Sequence, residues 1–155
     1  MEMPEPRKRP FLHEILPIGL LVGSLDILAA IGLSIAFGNG PVPMLRAIAS
    51  GAFGPEAFQE QMFYPLMGLA FHYTIALFWT WLFHWAHSIL HFPSSPWPLT
   101  GIIYGLFVWA VMNLAVLPLS RLPASPMEPG RSIMGILVLI FAVGLPLAYF
   151  FRERP

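Results

Sequence analysis

Four long apolar blocks, each fenced by proline- and glycine-rich breakers, constrain this chain more than any other feature. They run over about 15–37, 62–90, 99–117 and 132–151. The hydrocarbon core of a bilayer is about 30 Å thick, and a helix needs about 20 apolar residues to cross it. Between the blocks stand FGNGPVP (37–43), HFPSSPWP (91–98) and PLSRLPASPMEPGR (118–131). Proline lacks a backbone donor and turns the preceding residue away from helix, so these read as connections between spans. Only 10% of the 155 residues are charged and 57% are hydrophobic, against about 25% charged in an average globular chain. Too few charges remain for a water-facing surface. The expected fold is all-α: a single four-span membrane bundle over 15–151, with short tails at 1–14 and 152–155.

The longest connection follows the first span. PMLRAIASGAF (43–53) has apolar residues at helical spacing, and GPEAFQEQ (54–61) places Pro55 at a first helical position. Two short interfacial helices are expected there. Arg7, Lys8 and Arg9 ahead of the first apolar run could mark a signal peptide. The run is longer than a typical signal core of about 7–15 residues and holds Asp26 in its middle, which favours an uncleaved span. An even number of crossings puts both tails on one side. That side carries Arg7, Lys8, Arg9, Arg152 and Arg154, against Arg46, Arg121 and Arg131 opposite; the bias points to cytoplasmic termini. Net charge is zero and cysteine is absent. Nucleic acid is not suggested as a partner, and thiol chemistry, disulfides and thiolate metal sites are excluded. GRSIMG (130–135) does not match a nucleophile elbow, and no enzymatic role is expected.

Polar residues at depth are the functional candidates. Asp26 lies roughly 16 Å into the first span at 1.5 Å per residue. An ionised aspartate at the bilayer centre costs about 2.5–3.5 kcal/mol, so it needs a partner or a proton. His72 lies roughly 15 Å into the second span, which crosses from the opposite side. Equal depth on antiparallel neighbours allows the two to meet and to hold or pass a proton. Asn113, in the third span, is a third polar group. Gly19 and Gly23 form a GxxxG on the face of Asp26, and Gly101 and Gly105 repeat the pattern in the third span. Such faces let helices approach closely, and packing of spans one and three is expected.

Four of the five histidines fall between 68 and 91. His84, His87 and His91, spaced i, i+3 and i+7, share one face near the end of the second span. Three imidazoles could hold zinc or copper, with His13 and Glu14 at the same interface. The ordinary role of such residues is at the headgroup level, and neither metal nor cofactor is expected. Gly68, one turn before His72, would offer clearance for a haem or chlorophyll ring.

SLDILAA (24–30), RAIASGAFGPEAF (46–58), GLAFH (68–72), YGLFVWAVMNLAVLPLS (104–120) and VGLPLA (143–148) resemble a widespread family of uncharacterised small bacterial inner-membrane proteins with four spans. The resemblance implies that Asp26, Arg46, Gly51, His72, Asn113, Pro118 and Ser120 hold motif positions, with Ser50 and Gly54 in the loop motif. Members of that family often carry a histidine in span four; this chain has Leu139 near that place and departs from a two-histidine site. The functional expectation is a non-enzymatic accessory subunit packing on other membrane proteins, or on itself, through its glycine faces. The alternatives are a small proton-linked carrier or channel using Asp26 and His72, and a haem- or chlorophyll-holding subunit using His72.

Overall fold

The structure, a computed structural model, describes residues 11–90, 96–122 and 128–152. Five main helices account for nearly all of them: α1 (Phe11–Ala36), α2 (Pro41–Phe53), α3 (Phe63–Leu90), α4 (Trp97–Leu119) and α5 (Pro129–Phe151). A 3₁₀ turn, Gly54–Phe58, follows α2. No strand occurs among the described residues. Helices α1, α3, α4 and α5 are each long and apolar enough to cross a membrane. Inside a bilayer only a helix or a closed barrel satisfies its own backbone, which is why these blocks are helical throughout.

Chain ends of the helices follow local chemistry. Gly38 adopts φ +81°. Its N–H bonds to Ile35 O at 2.9 Å, and that of Asn39 bonds to Ser34 O at 2.8 Å; this pair of bonds is a Schellman cap on α1. Gly54, at φ +67°, closes α2 with its N–H on Ser50 O. Two spans widen into π turns, Met112–Val116 in α4 and Leu139–Gly144 in α5. In each the returning N–H reaches back five residues, Leu117 to Met112 and Leu145 to Ile140. Each π turn is followed by Leu-Pro-Leu, at Pro118 and Pro146. A proline ring clashes with the carbonyl four residues back, and an extra residue in the preceding turn relieves that clash.

Around the bundle the order is α3, α1, α5, α4, each antiparallel to its neighbour. Glycines set the two tight seams. A Cβ on Gly19 would lie 2.6 Å from Leu77 Cδ2, and one on Gly23 would lie 2.9 Å from Ala76 Cβ, so these glycines admit α3. On Gly101 it would lie 2.9 Å from Leu145 Cα, and on Gly105 2.7 Å from Ile140 Cα, so these admit α5. The expected pairing of spans one and three is therefore corrected. A GxxxG states that a backbone can come close and carries no information on which one.

Of the other two seams, α3 against α4 is held mainly by aromatic side chains rather than by close backbones. Tyr104 packs edge-on to Phe83 at 4.7 Å, and its hydroxyl donates to Trp79 O at 2.6 Å. With Val22, Val108, Val143, Leu147 and Ala148 these residues form the core. That core fills the half of the bundle nearer the chain termini. The other half is looser, and α2 lies against it. The short helices expected after span one are present as α2 and the 3₁₀ turn, and α2 packs on the first turns of α3. The Leu45 carbonyl packs directly on Gly68, and Ile48 lines a space shared with Ile75 of α3.

Candidate functional site

Asp26 and His72 meet in the middle of the bundle. His72 Nδ1 is 4.0 Å from Asp26 Oδ2, with the side chains 10% and 22% exposed. This is ion-pair contact, longer than a hydrogen bond. The other ring nitrogen, Nε2, lies 2.8 Å from the Gly23 carbonyl oxygen. A carbonyl oxygen can only accept, so Nε2 carries a hydrogen and donates it. Gly23 thus has two tasks. Its missing Cβ brings α1 close to α3, and its carbonyl then receives the imidazole. Asp26, three residues on, faces the same ring.

With hydrogen on Nε2, Nδ1 is the ring atom that faces the Asp26 carboxyl group, at 4.0 Å. A proton held between them relieves the repulsion of a lone pair facing a carboxylate. It resides on Nδ1, giving imidazolium and carboxylate, or on Asp26, giving two neutral groups. Either way the pair is neutral overall, which is the form that low dielectric tolerates.

Two spaces adjoin the pair. A cavity of about 120 Å³ is lined by Asp26 and His72 together with Val22, Trp79, Val108 and Leu139, among others. A second cleft, of about 310 Å³, lies between α2, the middle of α3 and the end of α4, with Gly51, Phe71 and Leu117 in its wall. Ile48, Ile75 and Met112 line both. The two spaces therefore adjoin at these three apolar side chains.

Other candidate residues sort as follows. Asn113 is not part of the pair: its amide donates to Trp109 O at 2.9 Å, within its own helix at the π turn. Ser50 is fully buried and its hydroxyl donates to Ala47 O at 2.7 Å. Gly51 O accepts the Arg121 N–H at 3.0 Å, and Ser120 Cβ lies 3.8 Å from where a Gly51 Cβ would stand. The loop motif around Ser50, Gly51 and Gly54 thus docks α2 onto the end of α4. Arg46, on α2, has a buried Nε without a hydrogen-bond partner among the described residues.

The ring of His84 lies 5.0 Å from that of Phe151, and His87 stacks on Phe83 at 5.9 Å. His91 and the side chain of His13 lie outside the described residues. Among those described, no group of three metal-binding side chains forms. The clearance read at Gly68 beside His72 is filled by the Leu45 backbone, and Nε2 of His72 is bonded to Gly23 O.

Sequence reasoning missed several residues. Tyr73 joins α3 to α1 by a 2.9 Å bond to Ser24 Oγ. Ser24 gives its own hydrogen to Leu20 O at 2.8 Å, so Tyr73 is the donor. Ile48 and Met112 also went unseen, because apolar residues in a membrane chain carry no signal of which ones face a cavity. Comparison with known proteins leaves the site to speak for itself: no family model matches the chain, no curated protein matches it, and no solved structure matches it.

Proposed function

We propose that this integral membrane protein is a small proton-linked carrier, non-enzymatic, in which the Asp26–His72 pair holds the exchangeable proton. One observation carries the reading. The pair lines a cavity that adjoins a larger cleft, so the titratable groups at mid-span have room beside them. A pair that only pinned two helices together would need no such space. The hydroxyls of the cleft are engaged, Thr74 with Ala70 O at 2.8 Å and Ser120 with Leu117 O at 2.7 Å, which leaves no nucleophile–base pair in its wall.

The accessory reading rested on glycine-lined faces free to receive another protein. Gly19, Gly23, Gly101 and Gly105 are instead used inside the chain. The distribution of Lys and Arg supports both termini in the cytoplasm of a bacterial inner-membrane setting suggested by the family resemblance. The resemblance to small four-span bacterial proteins supports the same setting.

Reconstitution tests the reading. Purified protein is placed in liposomes loaded with a pH-sensitive dye, and a transmembrane pH step is imposed in the presence of candidate small solutes. Wild type should move protons faster than empty vesicles, and Asp26→Asn should slow this by about tenfold or more. Equal flux through wild type and Asp26→Asn overturns the proposal.

A further inference from the structure

We infer that the substrate of this site is a small lipophilic organic cation, of the primary-ammonium type, bound with its apolar body in the α2–α3–α4 cleft and its charged head at Asp26. The inference rests on the proton-linked reading above and adds the class of molecule exchanged for the proton.

Three features of the lining select a cation. No side-chain hydrogen bond to Asp26 is made among the described residues; its ion-pair contact is His72 Nδ1 at 4.0 Å. A carboxylate accepts several hydrogen bonds, so a donor-rich head is what it lacks. Trp79, almost fully buried, lines the same cavity, and an indole face attracts cations most strongly of the aromatic rings. No lysine or arginine lines either space, so an anionic head would find no counter-charge.

The body of the ligand follows from the cleft. At about 310 Å³ it falls at the lower end of the range for small-molecule pockets, about 300–1,000 Å³. Its wall is apolar apart from Thr74 and Ser120, whose hydroxyls are engaged with their own helices. An alkyl or aryl body of six to ten carbons, on the order of one such pocket, suits it.

The exchange balances. Before binding, Asp26 and His72 share one proton and are neutral overall. An entering ammonium group pairs with the Asp26 carboxylate. His72 keeps the hydrogen on Nε2, held by Gly23 O, and loses the shared one. That proton leaves to water, so one positive charge enters and one departs. Of the residues lining the two spaces, only Asp26 and His72 titrate. Arg46 on α2 and Tyr73 on α3 are close by in sequence but line neither, and α4 and α5 contribute no titratable group there.

The test is calorimetric titration of the full chain in mild detergent with hexylammonium, hexanol and hexanoate, in two buffers of different ionisation enthalpy. Hexylammonium should bind with release of about one proton, and hexanol about tenfold or more weakly. Binding of the cation should be lost in Asp26→Asn and in Ala52→Phe, which fills the cleft without touching the pair. Equal binding of hexanoate or hexanol overturns the inference, as does cation binding that persists in Ala52→Phe or occurs without proton release. If Asp26-dependent proton flux is seen in liposomes while the three probes bind alike, the carrier reading stands and the substrate class falls.

Discussion

Replacing Gly68 with alanine adds one methyl group at the point where α2 enters the bundle. A Cβ there would lie 2.8 Å from the Leu45 carbonyl carbon and overlap its oxygen. These are backbone atoms and cannot rotate aside. Helix α2 must therefore retreat by about 1 Å or more to restore ordinary contact. Ile48, one turn further along, moves with it and withdraws from both spaces beside the Asp26–His72 pair. Overpacking of this kind costs about 1–3 kcal/mol. The gain in helix propensity from glycine to alanine offsets up to about 1 kcal/mol. The net expectation is a loss of about 1–2 kcal/mol, together with weakened closure over the pair. Gly32→Ala is the matched control, because a Cβ there meets nothing within 4 Å. It receives the propensity gain alone, about 0.5–1 kcal/mol. Equilibrium unfolding in mixed detergent–denaturant micelles reads both. If Gly68→Ala proves as stable as Gly32→Ala, α2 does not pack on α3 as described.

Other substitutions follow the same geometry. Gly144→Ala places a Cβ against the Gly101 carbonyl and should cost about 1–3 kcal/mol in the same unfolding assay. Tyr104→Phe removes the hydroxyl bond to Trp79 O and should cost about 0.6–2 kcal/mol, with little change in fold by circular dichroism. His72→Ala leaves the Asp26 carboxyl group without its imidazole and should destabilise by about 3–5 kcal/mol, whereas Asp26→Asn, which keeps a polar group of the same shape, should cost less. A smaller loss for His72→Ala than for Asp26→Asn would contradict the pairing.

What could be read from the sequence was whatever depends on distance along a helix. The four apolar helices and the shared depth of Asp26 and His72 follow from rise per residue and apolar length, and the breaker around Gly38 from its glycines and prolines. Facts that depend on which surface meets which could not be read. Gly19 and Gly23 advertise close approach, but the partner turned out to be Leu77 and Ala76 on a helix with no matching motif. Gly68 read as open space and is filled by the Leu45 backbone. Asn113 looked like a third member of the site, yet its amide is satisfied within its own helix, at a π turn. That turn depends on the strain of a proline several residues away, which a hydropathy pattern does not register. The tautomer of His72 required an oxygen from another helix.

The bond between His72 Nε2 and the Gly23 carbonyl has a consequence for directionality. A ring passes a proton through a Grotthuss chain by taking one on its first nitrogen and surrendering another from its second. Here the second nitrogen abuts a main-chain oxygen that can neither carry a proton onward nor supply one. The imidazole is a cul-de-sac: whatever arrives by the Asp26 face must depart by it. A fixed bundle of this shape cannot conduct protons from one leaflet to the other through this ring. Vectorial movement would demand that the single doorway be presented to the two aqueous compartments in turn, by a rocking of the helices.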